Sequence, residues 1–202
     1  MSDLAHKFEL ITNRILKCHS CDLCLGKVNY VPGILGTSNP SIVVVGEAPG
    51  RHENLLGVPF VGKSGKVLNL AMKTIFNLER GEYSITNTLK CWPPGNRKPT
   101  QGEMKACRPF LKKQLKILSP CYVIATGLSA SQSILQDHYL SMKELRSHYY
   151  LDADRGILVY PTYHPAATMY RRNLYEEFLK DLKSLSDSSY KEKRTYKRFN
   201  LD

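Results

Sequence analysis

Two spacings of apolar residues alternate along the chain, one helical and one made of short unbroken runs. Residues 3–17 carry Leu4, Phe8, Ile11 and Ile15 three or four apart, which predicts an amphipathic helix. A cysteine-bearing loop follows over residues 18–40. Residues 41–45 (SIVVV) then form a β-branched run ending at Gly46, the pattern of a buried strand. Glycine- and proline-rich sequence extends to Gly65. Residues 64–77 read as a helix, with Val67, Ala71 and Ile75 on one face and Leu68, Met72 and Phe76 beside it.

Further on, residues 83–88 predict a second strand, followed by the loop CWPPGNRKP. Thr100 and Glu103 form a capping box that opens a helix running to about Leu118. Residues 122–126 predict a third strand and 127–135 a short helix, while 137–154 fit neither period. Residues 157–161 predict the fourth strand. Asn173 with Glu176 opens a last helix carrying Leu174, Phe178, Leu182 and Leu185. Strands that alternate with helices imply a three-layer α/β/α fold around a mostly parallel, four-stranded sheet. The expected organisation is one domain over residues 1–185. The tail, 186–202, is polar and basic with no apolar period, and is expected to be flexible.

Ligands of such sheets bind beyond the carboxyl ends of the strands. At those ends lie GEAPG after the first strand, Asn87 at the end of the second and His164 just after the fourth. Three polar elements distant in sequence are thus expected on one rim.

Composition narrows the function classes. Of 202 residues, 42% are hydrophobic and 23% charged, a globular balance, and no apolar run approaches the roughly 20 residues of a membrane span. The first residues lack the basic-then-apolar layout of a signal peptide, so the expected location is the cytoplasm. Lys and Arg number 29 against 18 Asp and Glu, a net charge of +11. That surplus suits a polyanion, whose condensed counterions are released on binding, although solubility alone would also account for it.

Six cysteines in an intracellular chain of this size point to metal or redox chemistry before disulfides. Two residues separate Cys18 from Cys21, and two more separate Cys21 from Cys24, so either pair could chelate one centre from a tight turn. Cys91 and Cys107 bracket a loop and the start of a helix and close no second knuckle. Spacing alone does not separate zinc from iron–sulfur.

Taken in order, several segments resemble the family 4, or iron–sulfur, uracil-DNA glycosylases. They are Cys18 and Cys21, VVVGEAPG, GVPFVGKSG, NTLKCWPPGNRKP, Cys107 separated from Cys91 by fifteen residues, and YHPAA. The resemblance covers residues 18–185. It implies a [4Fe–4S] cluster on Cys18, Cys21, Cys91 and Cys107, since the family's motif places a leucine two residues after its second cysteine, as Leu23 stands here. Cys24 and Cys121 are then expected to be packing cysteines. The cluster's implied role is structural, tying the N-terminal segment to the loop and helix after the second strand.

The resemblance also implies an activity: release of uracil from single- or double-stranded DNA, leaving an abasic site, by an enzyme expected to act as a monomer. Such an enzyme holds a flipped base, stabilises negative charge on the leaving uracil and admits one water. Phe60 matches the ring that stacks on uracil. Asn87 matches the amide that reads its polar edge, and His164 the histidine that bonds the leaving base. Better-known uracil glycosylases carry an aspartate at the position of Ala48; this chain, in keeping with family 4, does not. Glu47 is therefore the expected catalytic carboxylate beside His164, with Glu53 and Asn96 in support. For Glu53 the competing reading is plain solvent exposure.

DNA contacts are expected from backbone amides around Gly62 and Gly65, from Lys63 and Ser64, and from Met169, Tyr170 and Arg171. Met169 or Tyr170 matches the place where the superfamily inserts a wedge into the duplex, but either residue could equally begin the last helix. Small departures from the family pattern are Ser64, where alanine is frequent, and Trp92, where arginine is common. Two other readings remain. One is an idle glycosylase fold kept as a DNA-binding or replication accessory module. The other is a variant that crosslinks to its abasic product, against which RHENLLGVPF lacks that branch's basic, histidine-containing insertion.

Overall fold

A computed structural model describes residues 2–37, 41–146, 148–187 and 196–201. Its sheet has six strands in the order β2-β1-β3-β5-β4-β6. Four of them, β1 (Ile42–Gly46), β2 (Ser84–Asn87), β3 (Tyr122–Thr126) and β5 (Ile157–Thr162), pair in parallel and are the four expected strands. The expected sheet of four is corrected to six by β4 (Tyr149–Asp152), antiparallel to β5, and β6 (Tyr196–Phe199), parallel to β4.

Both additions have a physical reason. β4 lies in the ambiguous stretch and is buried only at alternate positions, too short a pattern to declare itself. β6 belongs to the segment expected to be flexible. Its neighbour Leu201 is buried in the core, and the Leu201 N–H donates to Asp152 Oδ2 at 3.3 Å. Local propensity says nothing of an edge that a distant strand offers. The rest of the tail expectation, 188–195, lies outside the described residues.

Strand alternation divides the core in two. Val43, Val45, Val123, Ala125 and Val159 face α4 (Gln101–Leu118) and α5 (Leu128–Leu135), joined by Phe8 of α1 (Asp3–Leu16). Ile42, Val44, Ile85, Ile124 and Tyr160 face the other way, onto Leu68, Ala71 and Met72 of α3 (Lys63–Phe76) and onto Phe178, Leu182 and Leu185 of α8 (Arg172–Ser186). A period of two in buried parallel strands yields this three-layer sandwich. The capping box of Thr100 and Glu103 forms as expected. That of Asn173 and Glu176 does not: α8 starts from Arg171 without a side-chain cap, and Glu176 accepts from Arg172 Nε at 3.2 Å.

Three short helices escape the periodicity because one turn cannot display it: α2 (Arg51–Leu56), α6 (Met142–Leu145) and α7 (Pro165–Thr168). Two of them, α2 and α7, flank the rim where β1, β2, β3 and β5 end.

Candidate active site and cysteine-lined hollow

Register places the functional residues. In the β1–β2 pair Gly46 lies opposite Asn87, so GEAPG leaves the sheet beside the asparagine. On the far side β3 and β5 end opposite each other at Thr126 and Thr162, two residues before His164. Between them opens a cavity of about 680 Å3. Every residue expected at the base or its sugar lines it: Glu47, Ala48, Glu53, Phe60, Asn87, Asn96 and His164. Lys63, Ser64, Met169 and Tyr170 also line it, while Arg171 stands outside, exposed, at the start of α8.

Phe60 has a left-handed backbone, φ 51°, and is nearly buried. Several partners hold it there. Arg80 donates to the carbonyls of Phe60 and Pro59 at 3.0 and 2.6 Å. Gly65 admits the same loop: a Cβ there would stand 1.8 Å from the Phe60 carbonyl oxygen. The ring stacks on His164, with centroids 5.6 Å apart and planes inclined by 28°.

Glu53 is buried, which overturns the reading of plain solvent exposure. Its Oε1 accepts the N–H groups of Val61 and Gly62, both at 2.9 Å. It therefore ties α2 to the loop behind Phe60 and to the N-cap of α3. The expectation that the Gly62 amide receives a DNA phosphate is corrected accordingly, because that donor is already used.

Asn87 is buried at the cavity wall, and its Oδ1 has no hydrogen-bond partner among the described residues. A buried acceptor left unpaired costs about 1–3 kcal/mol. The oxygen packs against Gly46, where a Cβ would stand 2.3 Å from it and 2.7 Å from the Phe60 ring. Below it, Lys90 donates Nζ to the Asn87 carbonyl and to Thr86 Oγ1. Burial lowers the Lys90 pKa to about 8.

His164 caps α7, its Nδ1 accepting the Ala166 N–H at 3.1 Å. The residue is only half-buried by surface because it faces the open cavity. The protein packed around the ring nonetheless desolvates it and pushes its pKa down to about 4. At neutral pH the imidazole is thus uncharged, and with Nδ1 accepting, Nε2 carries the proton. Across the cavity, Glu47 is half-buried and its Oε2 accepts from Ser129 Oγ at 2.5 Å. Asn96, at φ 55°, accepts the Trp92 indole N–H at 2.7 Å. Its loop is pinned to α4 by Arg97, whose paired hydrogen bonds hold the Glu103 carboxyl down at about 2.

Beside the rim lies a second, enclosed hollow lined by Cys18, Cys21, Cys24, Cys91 and Cys107. Leu23, Leu89, Tyr30 and Phe110 complete an apolar wall, and Lys90 lines it too. Burial pushes the Cys91 thiol up to about 12, and Cys107, Cys21 and Cys18 add to the shift. Cys107 is raised likewise by burial, with Cys18 and Cys21 contributing. Cys24 is within 3.7 Å of His19 Nδ1. Cys121 is exposed, so its expected packing role is withdrawn. Among the described residues no three His, Cys, Asp or Glu side chains gather around one ion-sized point.

Sequence reasoning missed Arg80, Lys90 and Ser129. Arg80 and Ser129 act on residues distant in sequence, while Lys90 turns back onto Thr86 and Asn87, four and three positions earlier.

A parallel sheet with a cavity at its carboxyl rim, into which an aromatic ring, an amide and an imidazole converge, is the architecture of a class of enzymes acting on nucleobases in DNA. Residues 32–183 match the model of the uracil DNA glycosylase superfamily. Three similar relatives are named type-4 uracil-DNA glycosylase. That of Sulfurisphaera tokodaii is 37% identical, over 96% of this chain and 88% of its own. Those of Archaeoglobus fulgidus and Saccharolobus solfataricus are each 38% identical, covering 92% and 88% of this chain and 94% and 86% of theirs. The chain belongs to the uracil DNA glycosylase superfamily and, within it, to the type-4 uracil-DNA glycosylases. Among the described residues no helix is long and apolar enough to cross a membrane.

Proposed function

We propose that the protein is a DNA-repair enzyme that flips uracil out of DNA and hydrolyses its N-glycosidic bond. The observation that carries the reading is the unpaired, buried Asn87 Oδ1 in a cavity that also presents Phe60, His164 and Glu47. Phe60 supplies a stacking face for the base. Asn87 Oδ1 accepts the uracil N3–H while its amide N–H donates to O4; cytosine offers the reverse pattern at those atoms. Gly46 and Phe60 crowd the amide and oppose its rotation.

As the glycosidic bond breaks, the electron pair leaves with uracil and positive charge grows on the sugar. Neutral His164 donates Nε2–H to uracil O2, where the negative charge collects. Glu47, fixed by Ser129, stabilises the sugar cation and receives the proton of the attacking water, with Asn96 helping to place that water. Ala48 leaves room beside the glycosidic bond. Glu53 acts as a positioning residue behind Phe60. Lys63, Ser64 and Arg171 favour the DNA backbone, and Tyr170, 84% exposed at the cavity mouth, is a better-placed wedge than half-buried Met169.

Cys18, Cys21, Cys91 and Cys107 suit a [4Fe–4S] cluster. All four line one apolar hollow with Leu23, Leu89, Tyr30 and Phe110, a setting in which thiolates are stabilised by a bound cationic centre. The cluster would supply rigidity there. Cys24 lines the same hollow and is the nearest competitor of Cys18.

The test uses protein that retains its brown colour and an oligonucleotide with one uracil, followed by alkaline cleavage of abasic sites. Strand scission with uracil and none with thymine is expected, falling about a hundredfold or more in His164→Ala. Intact uracil DNA despite binding and a full cluster would overturn the enzyme reading in favour of an accessory module.

A further inference from the structure

A second groove of about 550 Å3 adjoins the uracil cavity. Val28, Arg51, Leu55, Trp92, Gly95 and Asn96 line it, and Arg51 and Asn96 line both spaces. Val28 and Leu55 are 64% and 52% exposed, leaving apolar surface bare to water. Trp92 is half-buried and its indole N–H is committed to Asn96 Oδ1, which fixes the ring. Arg51 is exposed and makes no ion pair among the described residues.

We propose that this groove is a subsite for the nucleotide next to uracil in the same strand, its base stacking on Trp92 and its phosphate meeting Arg51. An immobilised aromatic ring, an apolar floor and an available guanidinium are what a stacked base and its phosphate require. Continuity with the uracil cavity favours the same DNA strand over any other occupant, because Arg51 stands where the two spaces meet. The net charge of +11 favours the same partner. Trp92 thereby has two duties: it orients Asn96 and it grips the neighbouring base, so that strand path and water placement are coupled.

The inference rests on the uracil-excision reading, and the experiment separates the two. Wild-type protein is given single-stranded uracil oligonucleotides in which the base on the 5′ or the 3′ side of uracil is replaced by a bare sugar–phosphate spacer. One of the two spacers is expected to lower kcat/KM about tenfold, the scale of one lost base–aromatic stack. Trp92→Leu, already slower on the intact oligonucleotide, should respond to that spacer less than twofold. Trp92→Phe, which keeps a ring but cannot donate to Asn96, should retain the response.

Trp92 is also the chain's single tryptophan, so its emission reports stacking without any variant. In the first turnover, the intact oligonucleotide should quench it more strongly than the spacer form. Wild-type indifference to both spacers, with equal quenching, would overturn the subsite, as would equal spacer sensitivity in Trp92→Leu. Absence of uracil release from every oligonucleotide would instead remove the glycosylase reading.

Discussion

The two hollows at the sheet's rim are opposites in construction. The cysteine-lined one is enclosed and apolar, and burial there drives thiols away from ionisation, Cys91 to about 12. The uracil cavity is wide and sets polar groups among apolar walls, and burial there keeps His164 uncharged while Asn87 Oδ1 has no partner among the described residues. One space suits a permanent occupant that the fold closes around. The other leaves hydrogen-bonding capacity unspent for a visitor. Lys90 joins them, its chain lining the first while its Nζ donates to the carbonyl of Asn87, which lines the second, and to Thr86 Oγ1. Loosening the cysteine hollow should therefore disturb the reading of uracil, although no thiol touches the base.

The comparison is most exposed to loss of its permanent side. Cys91→Ala is expected to lose iron and brown colour together and to abolish uracil release, measured by iron content and alkaline strand scission. Cys18→Ser should do the same while Cys24→Ser keeps both; the reverse outcome would move the ligand set to Cys24. A smaller effect is expected on the transient side. Gly46→Ala places a Cβ against both Asn87 Oδ1 and the Phe60 ring, and a displacement on the scale of 1 Å costs about a hundredfold in kcat/KM. Its iron content should stay that of the wild type, which separates damage to the cavity from damage to the hollow.

The smallest effect concerns pH. Burial depresses the His164 pKa to about 4, so the neutral form prevails above that value, and the His164 contribution to kcat/KM should be flat from pH 8 to about pH 5. That profile reports the free enzyme, and it should decline as pH falls through 4 and the ring gains a proton, which His164→Ala cannot show. A rise on acidification would mean that the charged imidazole is the working form.

The contrast also bears on what could be read without coordinates. Phe60 sits in a loop with no helical or strand period, and for that reason was legible as functional; its left-handed backbone and its brace of Arg80, Glu53 and Gly65 were not. Glu53 illustrates the limit well. From the sequence it stood in support of Glu47 with plain exposure as the competing reading, whereas two amides from residues eight and nine positions away hold it buried behind Phe60. Trp92 looked like a minor departure from the family pattern until its N–H was found on Asn96.

By itself the sequence determined the parallel strands, their long helices and the rim where GEAPG, Asn87 and His164 meet, because periodicity and motif order are local properties. Tertiary structure alone decided the two added strands, the commitment of the Gly62 amide to Glu53, the tautomer of His164, and the bridge that Lys90 makes between the two hollows. Each of those depends on which group fills a given space and satisfies a given donor or acceptor. Such pairing costs free energy when left undone, and only the folded chain shows where it is done.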